Sequence, residues 1–498
     1  MRRKSCLLSV LTLLLASLLA LCSCNQRGET GDSTVVTSPL HEGELNNGNN
    51  NGTNDGNKPW LPSLPGGIFP WDQEKPGQTP GGGQDPDVPP SFDYDFGGDE
   101  LSVLTSDSIL HAREWMASEE SADHFSGEIF QRNMAVEQSL HVAILVTAAN
   151  GGSIASKLEM DWLTGTQDYD VASTSADILA PLAVNGMLAD LRSSDFSNMG
   201  LDKSFWYASF NSAAAVNGRQ MFAAGALNTS VSDLTYSVFY NRNTEENFGF
   251  DLLTAVQEGQ WTYALFEELC RLVTYEDRIG AVSYSGPVSS GFMHAFHIRF
   301  VEQQNNGYQL LEPSRTVSDA MQALQSLWYS GDASLVNANV AMNLFTSGKS
   351  LFYVGRLSDA FQFDASEYGV LPLPKYSEAQ TNYFTGVSCN HSAVAVLAYP
   401  GIDSFMLGTS LGVICELSQY MEIGMFDLLS WCQEAEMFDM VELIRGSVYW
   451  DVSDVYSSYL GQTPWNYAFV SQTTIAASHA TKRNAYLSKL LELWDKLG

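Results

Sequence analysis

Positive charge is scarce in this sequence: 25 Lys and Arg stand against 57 Asp and Glu, a formal net charge of -32 at pH 7. A body this negative is repelled by nucleic acid and by anionic lipid headgroups, which excludes both as primary partners. Cysteine is also sparse, seven in 498 residues. Cys270, Cys389, Cys415 and Cys432 show none of the CxxC spacing of metal knuckles or redox pairs. They read as small buried hydrophobes, with one or two disulfides open and no pairing that sequence decides. HExxH, the P-loop and GxGxxG are all missing, so zinc-protease, nucleoside triphosphate and dinucleotide chemistry lack their signatures. His294 and His297 stand three apart with no third metal ligand nearby, and no metal or cofactor is expected. No repeat of fixed period occurs, which disfavours solenoids and propellers.

Long apolar runs are confined to the start of the chain. Met1, Arg2, Arg3 and Lys4 precede Leu7 to Leu21, an apolar stretch broken only by Ser9, Thr12 and Ser17. As a helix it would cover about 22 Å, short of a hydrocarbon core of roughly 30 Å, so residues 1–23 are expected to be a signal peptide. Leu21-Cys22-Ser23-Cys24 resembles a bacterial lipobox. That resemblance implies that Cys24 carries the lipid and that the protein is anchored to the outer face of the cell membrane without spanning it. Residues 24–99 are rich in Gly, Pro, Asn and Asp, as in Asn46–Asn54 and Pro80–Pro90, and lack periodic apolar positions. A disordered tether is expected there, with a reach on the order of 45 Å.

The remaining 400 or so residues exceed the size at which one core tends to divide in two. Apolar spacing predicts a helix over Phe125–Leu140, a strand over His141–Thr147, a helix over Ile154–Leu163, a strand over Tyr169–Ala172 and a Pro181-interrupted helix over Ala176–Leu188. Leu234–Tyr240 and Ser392–Ala398 read as strands, and Thr262 as the N-cap of a helix to Val273. The last hundred residues read mainly as helices, with Leu487–Leu497 amphipathic. This alternation predicts α/β architecture, with parallel sheets covered by helices on both faces.

Several stretches carry a more specific signal. Leu344–Arg356 reads LFTSGKSLFYVGR and is followed by Tyr368–Pro374, YGVLPLP. Upstream lie Asp168–Val171, Val238–Arg242 (VFYNR), Phe248–Phe250 and Gly259–Thr262 (GQWT). In this order, over roughly residues 123 to 460, they resemble the family-one extracellular solute-binding proteins, a group that includes carbohydrate-binding proteins of ABC importers. The resemblance implies a two-lobed periplasmic-binding-protein-like fold, each lobe a mainly parallel sheet with helices on both faces and a hinge between them. Lobe 1 would comprise residues 100–232 and 375–418, and lobe 2 residues 233–374 and 419–498, with crossovers near Ser230–Leu234 and Leu371–Lys375. It further implies a monomer that captures an oligosaccharide or other small polar solute between the lobes and delivers it to ABC permease subunits without covalent chemistry.

A sugar offers hydroxyls at its rim and C–H patches on its faces, so its site needs fixed polar groups and flat rings. Trp206 and Trp450 lie in the polar-aromatic stretches Lys203–Asn211 and Ser447–Tyr456 and are candidate rings, although most tryptophans in a large core serve packing. Asp177 follows the Tyr169–Ala172 strand at the position where the resemblance implies a contact to a ligand hydroxyl, Asp233 and Tyr240 flank the first crossover, and Arg356 follows the glycine motif; these four are the candidate polar contacts. Each also has an ordinary reading, as a helix-cap neighbour or a surface ion pair. Two other functions compete: a surface adhesin that holds glycan without a permease, and an exported glycan hydrolase. Gly408–Gly412, GTSLG, fits the G-x-S-x-G elbow, but that motif needs a strand before it and a histidine after it, and only His479 follows.

Overall fold

The computed structural model describes residues 34–37, 94–117, 124–364, 366–420 and 435–498. Cys24, the expected signal peptide, most of the expected tether and Cys432 lie outside the described residues.

Lobe 1 begins with β1 (Thr34–Thr37), β2 (Asp99–Ser106), β3 (Val142–Ala149) and β4 (Val171–Ser175). β2 runs parallel to β3 from Asp99 opposite Val142 to Ser106 opposite Ala149, and parallel to β4 on its other side. The helices His124–Leu140 and Gly151–Thr164 connect β2 to β3 and β3 to β4, and the helix Ala176–Val184 follows β4. The second starts at Asn150, whose side chain accepts from Gly152 N, and stops at Gly165 in the left-handed region at φ 66°.

The chain then crosses to lobe 2, built from β5 (Tyr236–Asn241), β6 (Ile279–Ser283), the hairpin β7 (Val301–Gln304) and β8 (Gly307–Leu310), β9 (Ala333–Leu335), β10 (Ser350–Arg356) and β11 (Tyr368–Leu371). The sheet order is β11-β5-β10-β6-β9. β6, β9 and β10 are mutually parallel, whereas β5 runs against both of its neighbours. Thr262 caps the helix Tyr263–Val273 as expected, its hydroxyl accepting from Leu265 N. That helix lies so close on β6 that a Cβ on Gly280 would come within 2.3 Å of Cys270 Cα. The chain finally returns to lobe 1 as β12 (Ser392–Val396), antiparallel to β4, completing the order β1-β3-β2-β4-β12.

Three passages join the lobes as a short ribbon. Thr235 pairs antiparallel with Val387, and Thr385 pairs parallel with Val448. Tyr236 N donates to Gly386 O at 3.0 Å, Ser388 N to Leu234 O at 3.0 Å, and Thr385 N to Ser447 O at 3.0 Å. The second crossing therefore lies beyond Leu371–Lys375, because Lys375 is still held in lobe 2 by Trp261 O and Tyr263 N. Residues 452–460, placed in lobe 2 by the sequence reading, pack on the lobe 1 helices Ala176–Val184 and Ala208–Ala214. The terminal helix Ile475–Leu497, about 34 Å long at 1.5 Å per residue, touches β8 in lobe 2 and Ala176–Val184 in lobe 1. One apolar cluster accordingly runs through both lobes, and a second fills lobe 1 alone.

Candidate binding cleft

Both sheets turn the same end toward the ribbon. The chain enters β5 from the first crossing and β12 from the second, and each runs antiparallel to the strand beside it. The amino ends of β5 and β12 thus lie next to the carboxyl ends of the parallel strands. Consequently the loops after β2, β3 and β4 and those after β6, β9 and β10 all converge on the crossings, where open α/β sheets hold ligands.

On this floor Arg356, the last residue of β10, stands opposite Tyr236, the first of β5. Its guanidinium lies 5.7 Å from the ring centre of Tyr284, which follows β6. Burial pushes the Tyr236 phenol up to about 12, with Arg356 pulling the other way and Cys389 beside it. Burial also pushes the Cys389 thiol up, reinforced by the Asp177 carboxylate. Asp177 Oδ1 accepts from Ser457 Oγ at 2.9 Å, and its carbonyl accepts from Ser458 Oγ at 2.8 Å. Asp177 and Arg356, one from each lobe, are therefore brought together around Cys389 and Tyr236.

Asp233 and Trp450 hold the crossings in place. Asp233 is buried and accepts from Arg113 Nη2 at 2.5 Å. Trp450 N donates to Ser209 Oγ at 3.1 Å, and its indole N–H donates to His391 Nε2 at 3.2 Å. With Nε2 accepting, the proton of His391 sits on Nδ1 and is donated to Ser392 O at 2.9 Å. Burial pushes the His391 imidazole down to about 4, in keeping with a neutral ring.

The structure sets Trp206 and Tyr240 apart from the cleft. Trp206 is buried in the core of lobe 1, with its indole N–H on Met199 O at 3.1 Å. Tyr240 is buried opposite Phe352, roughly 13 Å along the strand from Arg356 at about 3.3 Å per residue. Because β5 runs antiparallel to β10, the residue at the crossing end is Tyr236. Direction of pairing decides which tyrosine reaches the cleft, and no local pattern reports it.

Other groups that sequence passed over join the crossings to lobe 1. Glu114 is fully buried; its Oε1 accepts from Ser230 N at 2.9 Å and from Ser392 Oγ at 2.8 Å. Burial pushes its carboxyl up to about 7 against these hydrogen bonds. On the lobe 2 side His294 Nε2 lies 3.0 Å from Asp454 Oδ2 and Nδ1 lies 2.8 Å from Ser290 O. Burial alone would lower His294, but the Asp454 carboxylate outweighs it and the ring rises to about 9.

The elbow motif has no strand before it: Gly408–Gly412 sits within the helix Ser404–Tyr420, and Ser410 is fully buried with its hydroxyl toward Met406 Sδ. Among the described residues no three metal-ligating side chains converge. A hollow of about 620 Å³ lined by Leu191, Arg192, Phe196, Leu201 and Gly218 lies in lobe 1 and includes none of the cleft-floor residues.

Solved structures share this fold. A cyclo/maltodextrin-binding protein complexed with maltotetraose superposes with a TM-score of 0.54 at 13% identity, covering 79% of this chain and 97% of its own. The GacH receptor of Streptomyces glaucescens, solved unliganded and with acarbose, gives 0.51 at 14% identity over 79% of this chain and 98% of its own. A cyclic alpha-maltosyl-1,6-maltose binding protein from Arthrobacter globiformis gives 0.55 at 15% identity over 79% of this chain and 100% of its own. No protein-family profile matches the sequence, and no curated protein matches it.

Proposed function

We propose that this chain is a lipid-anchored, extracytoplasmic binding protein that captures a carbohydrate or similar polar solute between its lobes and passes it unaltered to an ABC importer. The observation that carries this reading is the convergence of parallel-strand carboxyl ends from two sheets on one three-stranded crossing, where Asp177, Arg356, Tyr236 and Tyr284 gather. Carboxylate, guanidinium and phenol suit the hydroxyl rim of a sugar, and the tyrosine rings suit its C–H faces. Two lobes on a narrow ribbon can swing shut, excluding water from both sides of the guest. The same-fold proteins solved with maltotetraose and acarbose support a sugar as that guest. The acidic surface suits a neutral solute and an extracellular setting, and Cys24 supplies the membrane attachment.

Calorimetry against a panel of neutral oligosaccharides is expected to show one site of micromolar-class affinity, about 8 kcal/mol, with the ligand recovered intact. Turnover of a chromogenic glycoside without saturable binding would replace this reading with the hydrolase. Cys24→Ser is expected to release the protein into the medium. Continued membrane retention of that variant would remove lipid attachment from the proposal.

A further inference from the structure

We propose that Gly461 is a joint in a further link between the lobes, made by the C-terminal tail outside the ribbon, and that its backbone helps to set the angle the lobes hold before a solute arrives. This inference rests on the reading of the chain as a two-lobed capture protein.

The tail changes lobes across Leu460, Gly461 and Gln462. Just before them it is bonded to lobe 1. Tyr456 Oη donates to Ala214 O at 2.8 Å, Ser457 Oγ to Asp177 Oδ1 at 2.9 Å and Ser458 Oγ to Asp177 O at 2.8 Å. The short helix Ser457–Leu460 packs on Ala176–Val184. Just after them the tail is bonded to lobe 2. Trp465 Nε1 donates to Ser289 O at 2.8 Å, in the turn that follows β6. Gln325 Nε2, on the lobe 2 helix Arg315–Ser330, donates to Ala468 O at 2.9 Å and to Thr473 O at 3.0 Å. Across the joint the two sides also touch through Asp454 with His294 and through Lys489 Nζ with Tyr459 O.

Both flanks of the change are fixed. Gly461 N donates to Ser457 O at 2.8 Å and closes the helix Ser457–Leu460. Thr463 Oγ1 accepts from Asn466 N at 3.2 Å and opens the helix Pro464–Val470, with Pro464 in its first turn. Gln462 alone stands between the two caps. Gly461 sits at φ 86° and ψ −173°, backbone angles that only glycine occupies readily. A Cβ added there would meet nothing within 4 Å. Glycine is thus required by the backbone angles and not by close packing, and the space around the corner is open. With one helix seated on each lobe and the chain continuous between them, a turn of one lobe against the other is absorbed at this corner as well as at the ribbon.

The test measures the distance distribution between spin labels at Leu163→Cys in lobe 1 and Leu272→Cys in lobe 2, 69% and 54% exposed. It uses the full chain without ligand, with Cys389 and Cys432 replaced by serine. Gly461→Ala is expected to shift the mean distance, because a side chain drives the backbone away from φ 86° and the lobes turn with it. Inserting two glycines after Gly461 removes the constraint without adding strain and is expected to broaden the distribution. Gly165→Ala places the same strain at the left-handed end of the helix Gly151–Thr164, inside lobe 1 and also in open space, and is expected to keep the wild-type distribution. A wild-type distribution in either Gly461 variant overturns the proposal. A shift in Gly165→Ala as large as that in Gly461→Ala overturns it as well, since strain anywhere would then suffice. Because the distances are read without ligand, a protein that binds no sugar takes down the capture reading and leaves these outcomes to be judged on their own.

Discussion

Glu114 has no exposed surface, yet its carboxyl is surrounded by donors: a backbone N–H, a serine hydroxyl, and the buried Arg132 close by. Burial wins over these partners and raises it from an ordinary 4.5 to about 7. A carboxyl raised on folding binds its proton more tightly in the folded chain. Its stabilising contribution is therefore complete below about pH 4.5 and is lost as pH climbs through 7, up to about 3 kcal/mol in all. Glu114→Gln keeps the shape and removes the titration. Urea denaturation of both proteins between pH 4.5 and 8 is expected to show the variant gaining on the wild type as pH rises, whereas parallel curves would mean that Glu114 does not titrate there. None of this was legible in the sequence, where Glu114 is one of many acids. Asp177 and Arg356 were singled out through the family resemblance, and the structure places both near Cys389 and Tyr236 at the crossings.

Among the elements, the ribbon depends on close approach. Gly386 lies in the second crossing, and a Cβ there would come within 2.7 Å of the His294 ring. His294 in turn fastens lobe 2 to the segment of Asp454, which reaches the lobe 1 helices. Gly386→Ala is expected to cost about 2 kcal/mol by overpacking, and His294→Gln about 3 kcal/mol by leaving Asp454 without its cation. Because the two changes act on one contact, the double variant is expected to lose less than the sum in chemical denaturation. Additive losses would separate the glycine from the ion pair. The helix Tyr263–Val273 was foreseen from Thr262 and its apolar spacing, which are local signals. β2 was not, because DELSVLTS sets Ser102, Thr105 and Ser106 among its apolar residues in a strand at the sheet centre, so no clean apolar run marks it.

At the scale of the whole molecule, closure is a balance between the ribbon and the contacts that already span the lobes through residues 452–460 and the terminal helix. A ligand that prefers the closed form adds to that balance by mass action. At a hundredfold excess over Kd it is expected to add about 2.7 kcal/mol to stability, seen as a rise in melting temperature together with a smaller radius in solution scattering. For a neutral sugar the affinity is expected to hold constant between low and high salt despite the net charge of -32, because no ion pair forms with the ligand. Binding that weakens steeply with salt would point to a charged solute.

Composition, apolar spacing and the motif order determined by themselves the α/β class and the division into two lobes, because helices, strands and caps are written in short-range pattern. Tertiary structure alone decided which side chains meet. The antiparallel entry of β5 brings Tyr236 to the cleft and turns Tyr240 away, and the folding of Asp107–Trp115 onto Ser230 and Ser392 gathers residues far apart in the chain. Pairing direction and long-range contact leave no local periodicity, so the site takes shape only when the chain closes on itself.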